Sequence, residues 1–265
     1  MIDYHVHSSL CNHAEGPMTA YVEQAVACGL REICFLDHLA LSPTENRHAM
    51  DIKEVPLYFH AIQGLKSRYR GIIGIKAGLE IDFDPAYTFL AERIIETYDF
   101  DLIGGSIHFQ DGLNLVSRKT AGRLRSADAK HLCEGYIASL DQMLESNLFD
   151  LVCHLDVPKK HGPGPLALAP KMFDGILDKI ARQNVAVEIN TSGYDHPAKE
   201  SYPGKTLRMA CKKRGISITL GSDAHRPIDV GRHFQRVLPL LREEGFDTLT
   251  TFTKRKPTPV PLTAA

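Results

Sequence analysis

Hydrophobic residues along the chain are grouped into seven short runs rich in Ile, Val and Leu, each followed by a longer amphipathic segment. Short apolar runs of this kind are typical of strands that are buried on both faces, as in a parallel sheet. The predicted strands are residues 2–7, 32–38, 73–81, 101–108, 150–154, 185–190 and 216–222.

The segments between these runs have the length and the periodicity of helices. Residues 129–145 show the clearest pattern, because an apolar side chain recurs at every fourth position of one face. That stripe consists of Leu132, Tyr136, Leu140 and Leu144. The predicted helices are residues 19–26, 55–69, 86–98, 129–145, 172–182, 206–214 and 230–243.

Strand and helix therefore alternate seven times, which favours a parallel sheet that is closed or nearly closed into a barrel. An open, doubly wound sheet is the alternative. No internal repeat or domain boundary is visible, so we expect one domain over residues 1–265. The sequence GPGP at 162–165 predicts a loop at the mouth of the site, and the Pro- and Thr-rich tail at 251–265 is expected to be extended or loosely packed.

Composition adds one unusual feature to an ordinary globular protein. The chain has 265 residues, 43% of them hydrophobic, and its 31 basic residues balance 32 acidic ones. We therefore expect neither a long nucleic acid nor a membrane as the main partner. Six cysteines form no C-x-x-C pair and no leader is visible, which predicts reduced thiols and a cytoplasmic location. The unusual feature is the number of histidines, which is 13.

Polar side chains that bind metals or protons are concentrated where each predicted strand ends. In chain order they are His5 and His7, Asp37 and His38, Glu80, His108, His154, Glu188 and Asn190, and Asp223 and His225. A single histidine at the end of a strand is usually structural. The carboxyl ends of barrel strands converge, however, and barrel enzymes build their sites there.

The type and spacing of these residues indicate a metal site. His5 and His7 are two positions apart, so their side chains leave a strand on the same side. Imidazoles combined with carboxylates suit Zn, Mn or Fe better than Mg or Ca. The set exceeds what one ion needs, and we expect two or three ions bridged by Glu80 and Asp223. Glu188 and Asp37 are expected to orient the ligands.

The remaining histidines are predicted to play no part in the site, except that His161 and His196 lie in loops that could touch a substrate. The motif Asp82-Phe83-Asp84 is interpreted as a loop and a helix start rather than as the nucleophile of an aspartyl-phosphate enzyme. No C-x5-R motif and no Walker-type loop is present.

The ordered motifs resemble those of the PHP (polymerase and histidinol phosphatase) superfamily, and within it most closely the monofunctional histidinol-phosphate phosphatases. The motifs are H-x-H at 5–7, D-H at 37–38, G-L-E-I-D at 78–82, G-S-I-H-F at 105–109, C-H-L-D at 153–156, N-T-S-G at 190–193 and G-S-D-A-H at 221–225. The resemblance implies a distorted (β/α)7 barrel of TIM-like type with a trinuclear metal centre.

The resemblance also implies which residues bind each ion. One ion would be held by His5, His7, Glu80 and Asp223, and Glu80 would bridge it to a second ion held with His108 and His154. A third ion would be held by His13, His38 and His225. Strand ends alone identify eight of these nine residues, and His13 comes from the resemblance only.

A metal-dependent phosphatase acting on a small phosphate monoester, such as histidinol phosphate, is the implied function. A metal-activated hydroxide would attack phosphorus in line, with Glu80, Asp223 and His225 as catalytic residues. The leaving group would take its proton from Asp223, from a histidine of the centre or from water.

Phosphate binding is expected to differ from the family pattern. Lys160 stands where the family often has a phosphate-contacting Arg, and Lys keeps the charge but lacks the bidentate fork. A second Arg that usually follows N-T-[AS]-G is missing. Residues that could compensate are His196, Lys199, Arg118 and Arg226.

Three other functions remain open. The first is a PHP-type phosphodiesterase or nuclease that acts on nucleotides or short oligonucleotides. The second is an amide or lactone hydrolase, for which Lys76 would have to become a bridging ligand. The third is a metal-binding domain without activity.

Overall fold

Seven parallel strands form a single sheet in the computed structural model, which describes residues 1–42, 48–120, 129–162 and 170–262. Their order in the sheet is β1-β2-β3-β4-β7-β8-β9. Their bounds are Ile2–Val6 (β1), Glu32–Ala40 (β2), Gly74–Asp82 (β3), Leu102–Ser106 (β4), Leu151–Val152 (β7), Ala186–Asn190 (β8) and Ile218–Gly221 (β9). The predicted parallel architecture is confirmed.

The sheet closes on itself between its first and last strands. The amide of His7 donates to the carbonyl of Ala224 at 3.0 Å, and the amide of Ala224 donates to the carbonyl of His5 at 3.3 Å. Hydrogen bonds therefore continue from the end of β9 to the end of β1, and the carboxyl ends of all seven strands surround one opening. The result is a distorted (β/α)7 barrel, and the open doubly wound sheet does not occur.

Seven α-helices lie around this barrel in the described part of the chain. Their bounds are Met18–Ala27 (α1), Val55–Arg68 (α2), Thr88–Thr97 (α3), Ala129–Glu145 (α4), Asp174–Gln183 (α5), Lys205–Lys213 (α6) and Phe234–Glu243 (α7). The predicted stripe on α4 is buried. None of these helices is both long and apolar enough to cross a bilayer.

Several predicted elements are shorter than expected, and in two of them the backbone shows why. The strand predicted at 150–154 is reduced to β7, because His154 takes a φ of 30° and turns the chain out of the sheet. The helix predicted at 230–243 begins only at Phe234, because His233 before it has a φ of 59°. Both residues adopt a backbone conformation that is uncommon for residues other than glycine.

The tail is better packed than its composition predicts. Thr248–Thr253 (β10) and Lys256–Pro261 (β11) form an antiparallel hairpin, and Phe252 is buried. The prolines of β11 fall at alternate positions of an edge strand, so their missing N–H groups cost no pairing. Of the two alternatives expected for the tail, the structure has the extended one as far as residue 262, and this extended segment is paired in a hairpin. Residues 263–265 and most of the predicted loop at 162–165 lie outside the described residues.

A second hairpin was not predicted. Phe109–Gln110 (β5) pairs with Leu113–Asn114 (β6) across Asp111 and Gly112, which have φ values of 52° and 70°. Positive φ at both central residues is the requirement of a tight hairpin turn, and Asp-Gly is a preferred pair for it. The hairpin follows directly on the end of β4 and forms one wall of the site.

Candidate metal centre

Five imidazoles from four strands converge on the carboxylate of Glu80, near the end of β3. The nitrogen–oxygen distances are 2.7 Å for His38, 2.8 Å for His154, 3.3 Å for His5, 3.7 Å for His108 and 4.0 Å for His7. The parallel register of β2 and β3 pairs His38 with Glu80 directly. Each carboxylate oxygen faces at least two imidazoles, which is the arrangement of a carboxylate that bridges two cations.

A second group of imidazoles lies beside Asp223. His7 Nε2 is 3.1 Å from Asp223 Oδ1, and the ring of His225 stacks on that of His7 with 4.0 Å between centroids. His13 lies 4.5 Å from His225 in the same measure. His7, His38 and His225 each offer one ring nitrogen, and these three nitrogens lie within 4.8 Å of one another. That spacing is small enough for all three to bind one ion.

The outer nitrogen of most of these rings contacts a fixed oxygen. His5 Nδ1 lies 2.6 Å from Glu188, His7 Nδ1 lies 3.2 Å from Asp37, and His108 Nδ1 lies 3.2 Å from Asp82. Backbone carbonyls take this place for His13 and His225. Such partners fix the tautomer and turn the other nitrogen, Nε2, toward a metal.

With these outer contacts, hydrogen-bond acceptors come to lie opposite one another inside the site. If Nδ1 of His7 carries the proton, its Nε2 presents a lone pair to a carboxylate oxygen of Asp223. Moreover, His154 Nδ1 and His225 Nε2 are buried and have no hydrogen-bond partner in the described ranges. Buried polar atoms are normally paired. A divalent cation between His7, Asp223 and His225 Nε2 would satisfy these three atoms, and nitrogen with carboxylate donors suits Zn, Mn or Fe.

The electrostatics favour the protonation states that metal binding requires. Burial lowers the pKa of His7, His13 and His225, and the neighbouring imidazoles lower it further. Burial opposes ionisation of Glu80, but His38 and the other imidazoles hold its pKa well below the usual range. His5 is the exception, since burial is outweighed by Glu188 and Glu80, which raise its pKa.

One glycine allows this close packing. A Cβ at Gly221 would lie 2.1 Å from Glu188 Oε1 and 2.7 Å from the Cβ of His5. Any larger residue there would push Glu188 away from His5, so the last position of β9 has to be glycine.

A cavity of about 260 Å³ opens beside the imidazoles. Its lining comprises His13, His38, His48, Glu80, Asp82, His108, Asn114, Ser117 and Lys160, with Leu39, Ala40, Ala49, Phe109 and Val116 as the apolar wall. The cavity is therefore bounded by candidate ligands on one side and by the β5–β6 hairpin on the other, which leaves room for a small organic group next to the metal centre.

The predicted substrate residues fall into two groups. Lys160 lines the cavity and forms no hydrogen bond or ion pair within the described ranges, while burial followed by the charges of Arg118 and Arg232 lowers its pKa. Burial and the charge of Lys160 also lower the pKa of His196 to about 4. Arg118 and His196 thus lie near Lys160.

Lys199 and Arg226 are not brought to the cavity. Lys199 is exposed and does not line it. Arg226 is exposed and forms an ion pair with Asp229 at 2.8 Å. His161 lies 3.1 Å from the carbonyl of Leu115, so its ring contacts the loop that follows the β5–β6 hairpin.

Three residues near the site were missed or misassigned from the sequence. His48 lines the cavity and its ring lies 5.3 Å from that of His13. Asp82 is the last residue of β3 and contacts His108, so the loop interpretation holds for Phe83 and Asp84 but not for Asp82. The i+2 spacing from Glu80 could have revealed Asp82, whereas His48 and Arg232 carry no local pattern.

Lys76 is paired with Thr253 and Glu32 at the other end of the barrel, which removes it as a bridging ligand.

Replacing Asp82 with Asn is expected to weaken metal binding by about 10–100-fold, because loss of an outer-shell carboxylate typically has this effect. The aspartate accepts from the backbone amide of His108 at 2.9 Å as well as contacting its ring. Metal affinity can be measured by competition with a chromophoric chelator. Asp84→Asn is the matched control, because Asp84 only accepts from the amide of Ala86; equal losses in both variants would contradict the role of Asp82.

Comparisons with known proteins agree with this geometry. The PHP domain family model matches residues 3–192. The chain is 33% identical over 260 residues to a probable histidinol-phosphatase of Deinococcus radiodurans, covering 98% of this chain and 99% of that one. It is 28% identical to the histidinol-phosphatase of Lactococcus lactis, covering 96% and 95%. The chain belongs to the PHP domain family.

A solved structure extends the likeness to three dimensions. The histidinol phosphate phosphatase of Lactococcus lactis, crystallised with zinc, L-histidinol and phosphate, superposes with a TM-score of 0.82 at 26% identity. The match covers 97% of this chain and 98% of that one. The (β/α)7 barrel fold is therefore shared along the whole length.

Proposed function

We propose that this protein is a metal-dependent phosphatase that hydrolyses histidinol phosphate to histidinol and inorganic phosphate. The observation that carries the proposal is the convergence of nine candidate ligands beside a cavity that is lined by Lys160, a lysine without a hydrogen bond or ion pair to any described residue. The likeness to a phosphatase that binds zinc, histidinol and phosphate supports the substrate.

The donor set fits two to three divalent ions. His5, His7, Glu80 and Asp223 would hold one, Glu80 with His108 and His154 a second, and His13, His38 and His225 a third. When bound, such ions supply Lewis acidity and a water of lowered pKa. The chain's own contribution is to hold Glu80 and Asp223 ionised and to fix each ring through its outer partner.

Lys160 is proposed to bind the phosphate. Its ammonium group has no partner in the described structure and lines the same cavity as Glu80 and His108. The charges of Arg118 and Arg232 act on Lys160 and add to the positive potential on this side of the site. The apolar wall that includes Phe109 and Val116 would then receive the organic part of the substrate. No disulfide joins any of the six cysteines, all of which lie in the described part of the chain, as is typical of the cytoplasm, which we propose as the location.

Steady-state kinetics on the metal-loaded protein test this function. The substrates are histidinol phosphate, a mononucleotide, a sugar phosphate and a bis-aryl phosphodiester. We expect kcat/KM for histidinol phosphate of at least about 10⁴ M⁻¹s⁻¹, and a rate on the diester on the order of 10²-fold lower. A preference for the diester would replace the proposal with a phosphodiesterase.

Replacing Lys160 with Met is expected to raise KM by about 10–100-fold with a smaller change in kcat. The reason is that a charged hydrogen bond to phosphate is worth about 1.5–3 kcal/mol and is made to substrate and transition state alike. Lys160→Arg should recover most of the loss. Lys159→Met is the control, because Lys159 pairs with Asp156 and Glu200 instead; if its KM rises equally, Lys160 is not the phosphate ligand.

A further inference from the structure

Arg232 lies behind the metal centre and donates to two consecutive carbonyls. Its Nε donates to the carbonyl of Ser222 at 2.8 Å, and its Nη2 donates to the carbonyl of Asp223 at 2.7 Å. Its Nη1 lies 3.4 Å from Asp195 Oδ2. The side chain is only 20% exposed, so these contacts are partly shielded from water.

The turn that Arg232 holds is the one that carries Asp223. Asp223 has a φ of 54°, a left-handed conformation that costs a residue other than glycine about 1 kcal/mol or more. Such a conformation persists only when the surroundings impose it. Asp3 fixes the turn from the other side, by accepting from the amide and the hydroxyl of Ser222 at 2.9 and 2.5 Å. Donors and acceptors therefore clamp the turn from both faces.

The clamp determines where the Asp223 carboxylate lies. One oxygen is 3.1 Å from His7 Nε2, and the other accepts from Ser192 Oγ at 3.1 Å and from Asn190 Nδ2 at 3.3 Å. If the peptide groups at 222 and 223 rotated, the carboxylate would leave His7. Arg232 donates to both carbonyls on its side of the turn, and His225 Nδ1 also contacts the carbonyl of Asp223, at 3.1 Å.

Arg232 also connects this turn to the loop that carries His196. Its own carbonyl accepts from the hydroxyl of Thr191 at 2.7 Å, while Asp195 contacts both its guanidinium group and His233 Nε2, the latter at 2.8 Å. Thr191, Asp195 and His196 lie in one segment, so the ligand turn and the substrate side are linked by one residue.

We propose that Arg232 is a positioning residue, which holds the Asp223 carboxylate toward the metal centre and ties the 191–196 loop to the same turn. The role proposed for Arg232 rests on the proposed function only where its test measures kcat. The planar fork of Arg is required, because an ammonium group is a point charge that cannot bridge two carbonyls in the same way. Arg232 thereby contributes from a different loop to the region in which the expected second arginine is missing.

The test compares Arg232→Met and Arg232→Lys with the parent protein. We expect both variants to retain less metal after dialysis, to alter the visible spectrum of the Co²⁺-substituted protein, and to lower kcat by about 10–100-fold. Arg232→Lys should recover neither kcat nor the metal content. Full recovery by lysine, or an unchanged metal content and spectrum in Arg232→Met, would overturn the proposal.

Two further variants separate positioning from general damage. Arg214→Met removes an arginine with two ion pairs, to Asp174 and Asp178, on the far helices, and should leave metal content and kcat unchanged. Asp195→Asn keeps both carbonyl bonds of Arg232, so it should bind metal fully while kcat/KM falls about 2–10-fold. Loss of metal in Asp195→Asn would contradict the division of roles. If the parent binds metal but releases no phosphate, the proposed function fails, and the metal content and Co²⁺ spectrum still decide the role of Arg232.

Discussion

Glu80→Gln is expected to reduce kcat/KM for phosphate release on the order of 10³-fold or more and to lower the metal content of the purified protein. Glutamine preserves the volume of the side chain and one carbonyl oxygen, but it removes the negative charge. That charge is the common neighbour of five imidazoles, two of which lie within 2.8 Å of it. Loss of one preorganised electrostatic group at a reacting centre usually costs about 10²–10³-fold, and a bridging carboxylate serves two ions.

The measurement is elemental analysis together with single-substrate kinetics on protein purified without chelator. Glu32→Gln is the matched control, since Glu32 accepts from the hydroxyl of Tyr4 and pairs with Lys76 at the amino-terminal end of the same sheet. It should keep its metal and its turnover even if its melting temperature falls. Unchanged activity in Glu80→Gln would remove this carboxylate from the reaction and the proposed mechanism with it.

Most of the barrel is predictable because one rule governs it. Alternating apolar runs and amphipathic segments specify parallel strands, and parallel strands deliver their last residues to one edge. His38, Glu80 and His108 can therefore be placed together from three distant positions in the sequence. The register of β2 against β3, which pairs His38 with Glu80, is the structural counterpart of that rule.

The residues that escape prediction depend on contacts between loops, for which the sequence has no periodicity. The rings of His13 and His48 lie 5.3 Å apart, although the two residues are distant in the sequence. Arg232 reaches Ser222 and Asp223 only because Asp223 takes a left-handed conformation, which no local pattern announces. The tail is a different case, because its packing could have been predicted. Its prolines suggested an extended or loosely packed segment, whereas their alternation fits the outer positions of an edge strand.

Removal of the metal is expected to abolish activity and also to destabilise the fold. If Nδ1 of His7 carries the proton, its Nε2 and Asp223 Oδ1 are two acceptors 3.1 Å apart without a metal, and within the described ranges two buried ring nitrogens have no hydrogen-bond partner. Ligands present at about 10²–10³ times their dissociation constant stabilise a folded protein by about 2.7–4.1 kcal/mol per site. For a chain of this size, each kcal/mol shifts the melting temperature by about 2–4 °C. We therefore expect a fall on the order of 5–15 °C after chelation, measured by calorimetry.

Adding single metal ions back to the chelated protein distinguishes loss of a specific metal centre from general loss of bound ions. Zn²⁺, Mn²⁺ or Fe²⁺ should restore both stability and turnover, whereas Mg²⁺ and Ca²⁺ should restore neither, because an imidazole-rich donor set favours transition metals. Glu80→Gln protein is the internal control, because chelation should lower its melting temperature by much less than that of the parent. Full turnover in protein with less than about 0.1 metal ion per chain would contradict metal-dependent chemistry at this site. The two measurements are linked, because Glu80, whose carboxylate contacts His154 and His38, also lines the cavity in which the substrate is proposed to bind.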